Sequence, residues 1–267
     1  MSKKTLFFAF DDGYNTSYID SLLIGLFYDI NQCANLLTNN PKTNSFYYVQ
    51  EMIKHDIMDA VHSNYSISYS KINEFRNFII ACGWKHNENI VNLHNVVDLY
   101  GFLIENIGCG ELYYDIFDVM LGSVLTHKVN HIECSITEDK STSVNSLLQV
   151  WKDKNININK IKFINFPEII PIYINRSGFL NVHVDITKGI KICNVSYNNM
   201  VWYASTIICF SNAEKQYYSV LRLDKEWYFF SNKNIPAMIK INIRDNITAK
   251  KIQTECVLIF YVFNKIF

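Results

Sequence analysis

Glycine and proline are scarce, nine and four in 267 residues. The chain therefore carries no Gly-rich linker and no low-complexity tract, and no composition shift marks a domain boundary. An excess of one charge is also missing, since 25 Lys+Arg stand against 25 Asp+Glu. Nucleic-acid grooves gather a basic excess, so no nucleic-acid partner is expected. Long apolar runs are absent. Leu6–Phe10, behind Lys3 and Lys4, is too short for a signal-peptide core. Cys256–Phe263 falls well short of the ~20 residues that span a bilayer, so no membrane partner is expected. The seven cysteines, at 33, 82, 109, 134, 193, 209 and 256, are odd in number and contain no CxxC pair. That excludes a disulfide framework and a zinc ribbon, and points to reduced, buried thiols of a cytosolic or nuclear protein. No metal and no cofactor are implied.

Apolar residues make up 49% of the chain and aromatics 15%, enough for a sizeable core. The first half has helical periodicity. Thr16 or Ser17 can cap a helix, with Asp20 placed as in a capping box, and Tyr18, Leu22, Leu23, Leu26 and Phe27 follow on one face. Further helices are predicted over 46–61, 72–82 and 96–107, the last stopping near Gly108 and Gly110. The second half is rich in β-branched and aromatic residues. It predicts strands at 162–166, 169–174, 201–210, 217–223, 227–230 and 256–263, with a tight hairpin at Asp224-Lys225-Glu226. Thr137–Ser146 reads as a loop. Helices followed by strands, without βαβ alternation, predict an α+β fold in one domain over 1–267.

Gly13-Tyr-Asn-Thr-Ser-Tyr-Ile-Asp-Ser-Leu-Leu23 resembles the nucleophile box of ubiquitin-specific proteases, Gly-Asn-Thr-Cys-Tyr-Met-Asn-Ser-Leu-Leu. Other boxes follow in the family's order. Asp98-Leu-Tyr-Gly-Phe102 is similar to Asp-Ala-x-Glu-Phe, and Ile116–Gly122 to the Leu-Phe-x-Gly segment. Phe166–Arg176 is similar to Leu-Pro-x-Val-Leu-x-x-His-Leu-x-Arg. Tyr217–Leu223 with Trp227–Phe230 is similar to the histidine box, and Val257–Tyr261 to the closing Tyr-x-Leu-Phe-Tyr strand. The resemblance covers nearly the whole chain. It implies a papain-like fold, with a helical thumb over about 1–125 packed on an antiparallel palm sheet, and fingers and palm over about 126–267. Cys134 has no CxxC neighbour, so the fingers should be short and metal-free.

The residues aligned with the reaction centre are the wrong ones. The nucleophilic cysteine falls on Ser17, whose hydroxyl is far less acidic than a thiol and needs a strong base. The family's histidine falls on Tyr217, already protonated near neutral pH and unable to take a proton. The orienting Asp or Asn falls on Ser231, with Asn232 beside it. The oxyanion-hole amide falls on Asp12, where a carboxylate would repel a developing oxyanion. The seven histidines lie at 55, 62, 86, 94, 127, 131 and 183, none in the strand that should supply the base. Cys33 lies too far along the nucleophile helix to substitute.

The resemblance thus implies an inactive homologue that binds ubiquitin, a ubiquitin-like protein or another protein partner. Tyr218, Trp227 and Asn232 are expected to line its cleft. Two alternatives stand beside this one: an active ubiquitin thiolesterase whose nucleophile is replaced at Ser17, and a scaffold without ubiquitin binding. The richness in Asn, Ile, Lys and Tyr resembles coding by an AT-rich genome such as that of a large DNA virus. A cytoplasmic location is expected, the host cytoplasm or the virion for a viral protein.

Overall fold

The computed structural model describes residues 8–13, 15–29, 37–38, 40–85, 95–107, 112–118, 123–154, 162–163, 166–191 and 200–263. Gly108, Gly110, Gly122, Cys33, Cys109, Cys193, His86, His94 and the segment Lys3–Leu6 lie outside them.

The first half folds into helices: α1 (Ser17–Phe27), α2 (Asn44–Glu51) running through a π-helical stretch (Met52–Met58) into α3 (Asp59–His62), α4 (Tyr69–Ala81) and α5 (Asn95–Ile107). These match the helical periodicities. The capping box does not form: Thr16 is the N-cap without a side-chain bond to a backbone N–H. Ser68 does cap α4, accepting from the Lys71 N–H. Four strands escaped the sequence reading in the next segment. A hairpin of β1 (Leu112–Asp118) and β2 (Ser123–Val129) forms, then β3 (Ile132–Ser135) and the short β4 (Thr142–Ser143). The expected loop at 137–146 holds over 137–141, and its remainder forms β4 and the start of α6 (Val144–Lys154).

Strands then come at the predicted places, β5 (Lys162–Phe163), β6 (Ile169–Asn175), β8 (Trp202–Ser211), β9 (Gln216–Leu223) and β10 (Glu226–Phe230), and at two unpredicted ones, the short β7 (Val184–Asp185) and β11 (Met238–Ile241). An unanticipated helix α7 (Asn246–Glu255) leads directly into β12 (Cys256–Phe263). Seven strands form one sheet in the order β11-β10-β9-β8-β12-β6-β3. It is antiparallel except at one edge, where β3 runs parallel to β6, a departure from the all-antiparallel sheet expected. The β9–β10 hairpin turns on Asp224 and Lys225, both at positive φ (48° and 71°). That is the type I′ geometry whose twist matches two-residue hairpins.

The sheet is covered on both faces, and each face has its own core. One core joins α1–α5 to Tyr173, Ile208, Phe210, Tyr217, Leu221, Phe230 and Leu258. The other joins α6 and α7 to Ile172, Ile207, Cys209, Tyr218, Val220 and Ile259. The period-2 alternation of β8, β9 and β12 divides these residues between the faces. Helix α1 is buried along its whole length. It can lie that close to the sheet because Gly25 has no Cβ: a Cβ there would meet the Thr206 Cγ2 at 2.9 Å. The Thr206 Oγ1 donates to the Gly25 carbonyl at 2.9 Å across the same contact.

Candidate functional site

The N-terminus of α1 meets β9 where a reaction centre was expected. The turn before α1 needs two permissive residues. Asn15 sits at φ 53°, and a Cβ on Gly13 would lie 2.6 Å from the Thr16 Oγ1. The turn delivers Ser17 to the sheet, where its Oγ accepts a hydrogen bond from the Tyr217 backbone N–H at 3.2 Å. Ser17 is 5% exposed. The two residues aligned with nucleophile and base are therefore neighbours, joined by a structural hydrogen bond.

The Tyr217 side chain occupies no proton-accepting position. Its ring packs against Tyr18 (centroids 6.5 Å apart) and Phe210 (5.0 Å) in the helical-side core. Burial pushes its phenol well above the ordinary value, and the oxygen is held by the backbone of Val96 at the start of α5. A protonated phenol at that depth cannot relieve Ser17 of its proton.

Behind this contact lies a buried polar network centred on Asn232. The Asn232 Nδ2 donates to the Asp20 Oδ2 at 2.6 Å and to the Asp12 Oδ1 at 3.1 Å. Its Oδ1 accepts from the Gln216 Nε2 at 2.7 Å. This uses both amide donors on carboxylates, and the reverse orientation would set a carbonyl against two acids. The Thr16 Oγ1 adds a bond to the Asp20 Oδ2 at 3.2 Å. Asp20 is fully buried, and loss of hydration drives its carboxyl well above the usual carboxylate range despite the bonds from Asn232 and Thr16. Its Oδ1 and the Gln216 Oε1 find no donor among the described residues.

The expected positions thus separate. Ser17, Tyr217, Asp12 and Asn232 converge. Ser231 is buried but turned into its own loop: its N–H donates to the Ala237 carbonyl at 3.0 Å and its Oγ accepts from the Lys233 N–H at 3.3 Å. Tyr218 and Trp227 do not line this junction. Tyr218 follows Tyr217 in an extended strand and so points to the opposite face, where its hydroxyl donates to the Glu255 Oε2 at 2.7 Å. Trp227 packs on that same far core. Thr16 and Asp20 were read from sequence only as a helix cap, and Gln216 was not singled out as a site residue. An acid and a serine inside the otherwise apolar run Tyr18–Phe27 were the available signal.

Among the described residues, no group of three or more His, Cys, Asp or Glu side chains could hold a metal ion. The buried thiols are unreactive in character: burial raises Cys134 to about 12 and pushes Cys209 and Cys256 upward. His131 packs edge-on to Tyr173 at 5.8 Å, and burial lowers its pKa. His183 adjoins β7, its carbonyl accepting from the Thr142 N–H at 2.9 Å. The geometry around Ser17 thus ties helix to sheet and, among the described residues, supplies no imidazole.

No protein-family model matches the chain, and neither does any curated protein. Among solved structures it is similar to a chain in the SAGA Ubp8/Sgf11/Sus1/Sgf73 DUB module bound to ubiquitin aldehyde. The TM-score is 0.60 at 14% sequence identity, over 96% of this chain and 69% of that one. The fold is therefore α+β and similar to that of a ubiquitin-specific protease.

Proposed function

We propose that this chain is a catalytically silent relative of ubiquitin-specific proteases that works as a protein-binding module in the cytoplasm, with ubiquitin or a ubiquitin-like protein as its partner. Helices α1–α5 correspond to the thumb and the seven-stranded sheet to the palm. The β1–β2 hairpin with β5 corresponds to short fingers without zinc. The observation that carries the loss of activity is the pair Ser17–Tyr217. The serine hydroxyl accepts the Tyr217 N–H, and the side chain at the base position is a buried phenol. The order of the sequence boxes, together with a structural neighbour whose solved complex holds ubiquitin aldehyde, supports the partner class.

Two measurements test the two halves separately. Cleavage of a ubiquitin–fluorophore conjugate should be undetectable for the protein and for Ser17→Cys, because a restored thiol still lacks a base. Turnover by Ser17→Cys would overturn the assignment of Tyr217 to the histidine position. Calorimetric titration with ubiquitin and ubiquitin-like proteins should give saturable heat. Silence at concentrations of a few hundred micromolar, a binding free energy weaker than about −5 kcal/mol, would leave the scaffold reading in its place.

A further inference from the structure

The face of the sheet turned away from α1 carries a pocket of about 770 Å³. Ligand sites for small molecules fall at about 300–1,000 Å³. Strand register explains how its wall is assembled. Arg222 of β9 sits directly opposite Trp227 of β10, which sits opposite Ile241 of β11. Directly opposed residues project to the same face, so a guanidinium, an indole and an aliphatic side chain stand in one row. Ile186 and Ile207, from the core beneath, close the apolar side.

The charges at this pocket do not cancel. Arg222, Lys225 and Arg244 all line it, and none of the three makes an ion pair among the described residues. The lining has one carboxylate, Glu226, and its Oε1 is held 3.1 Å from the Lys240 Nζ. Asp245, next to Arg244, is occupied capping α7, accepting from the Thr248 N–H and Oγ1 at 3.0 Å each. In a chain of zero net charge, three unpartnered cations around one apolar wall are a local excess with no internal counter-charge. Guanidinium groups suit multivalent oxyanions because their N–H donors match phosphate oxygens two at a time. An indole face beside them suits a flat ring.

We propose that this pocket binds a ring-bearing phosphate of nucleotide size. Its phosphates sit on Arg222, Lys225 and Arg244, and its ring lies against Trp227 and the isoleucine wall. The inference stands apart from the ubiquitin reading, since the pocket and the Ser17 junction occupy opposite faces of the sheet.

Calorimetric titration of the full chain with ADP, adenosine and inorganic pyrophosphate tests it. ADP should bind with a Kd in the micromolar to submillimolar range, and adenosine and pyrophosphate should each bind at least about tenfold more weakly. Arg222→Ala and Arg244→Ala should each weaken ADP by about tenfold, and so should a rise in salt. Arg244 is exposed, so its variant keeps the fold even if Arg222→Ala perturbs the sheet. Absence of ADP binding at about 5 mM overturns the proposal. So does ADP binding that Arg244→Ala and Arg222→Ala leave unchanged. Pyrophosphate binding as tightly as ADP overturns the ring contact and with it the ligand class. An acidic peptide binding where ADP does not would reassign the pocket to a protein partner.

Discussion

Asp20 and Arg176 are both buried, at 0% and 2% exposure, and neither has an oppositely charged partner among the described residues. Their surroundings solve the problem in different ways. Asp20, at the α1 junction, meets amide and hydroxyl donors, keeps one oxygen unpartnered and has its pKa driven upward. A carboxyl can escape the cost of burial by taking a proton. A guanidinium cannot, so Arg176 is wrapped by acceptors. Its Nε donates to the Cys256 carbonyl (2.8 Å), its NH1 to that of Val182 (2.6 Å) and its NH2 to that of Gln253 (2.8 Å). The group that can change its charge is left partly unsatisfied, and the one that cannot is fully enclosed. The Arg176 shell is a rivet between α7, β12 and the 176–182 turn. The Asp20 network is adjustable.

The largest expected effect breaks the rivet. Arg176→Met removes the guanidinium donors from three buried carbonyls and should cost on the order of 3–5 kcal/mol in urea unfolding. A loss below about 1 kcal/mol would show that water replaces the guanidinium there. Asn232→Ala removes the shared partner of Asp12, Asp20 and Gln216 and should cost about 2–3 kcal/mol by the same measurement. An equal or greater loss than for Arg176→Met would reverse the ranking of the two networks.

The pH dependence separates the networks in kind. With its folded pKa raised, Asp20 binds more protons folded than unfolded between its unfolded value near 3.9 and its folded value. Its contribution is fully present below that unfolded value and declines as pH rises through the window. Asp20→Asn should flatten the stability–pH profile across that window, whereas Arg176→Met should lower the profile without changing its slope. Thermal unfolding from pH 4 to 8 would show it, and an unchanged slope for Asp20→Asn would mean that the carboxyl titrates normally. The smallest effect belongs to Ser17→Ala, which removes one acceptor from the Tyr217 N–H and should cost about 1 kcal/mol. A much larger loss would give Ser17 a role beyond that bond.

Much of this arrangement was legible in the sequence. Apolar periodicity located α1 and α5, and β-branched and aromatic runs located β6, β8, β9 and β12, because each of these elements buries one dominant face or both. The hairpin β1–β2 escaped because its second strand is exposed along almost its whole length and carries no alternation. Helices α6 and α7 escaped because their polar faces dilute the pattern, and only Val144, Leu147, Leu148 and Ile252 of their apolar residues are fully buried in the core. The site was legible one strand-side at a time. Ser17 and Tyr217 are joined through the Tyr217 backbone N–H, yet adjacent residues of a strand face opposite ways, so Tyr218 could not share a cleft with Tyr217. Asn232 was noticed as a neighbour of Ser231, and it proved to be the hub. Its partners Asp20 and Gln216 are brought to it by tertiary packing, which local patterns do not encode.

The π-helical stretch Met52–Met58 bears on how this chain tolerates changes of length. A wide turn of this kind stores an extra residue inside a continuous helix. Removing that residue would restore ordinary winding with the flanks still in phase, whereas removing one from the ordinary turns of α2 would rotate everything beyond by about 100°. Val61 would then leave the core, and His62 would lose its 3.0 Å bond to the Tyr28 carbonyl, which ties this helix to the end of α1. The stretch therefore fixes the phase between two halves of one rod. A deletion in α2 would thus be felt at the far end of α1 as a misaligned support, and the same deletion within Met52–Met58 would be absorbed.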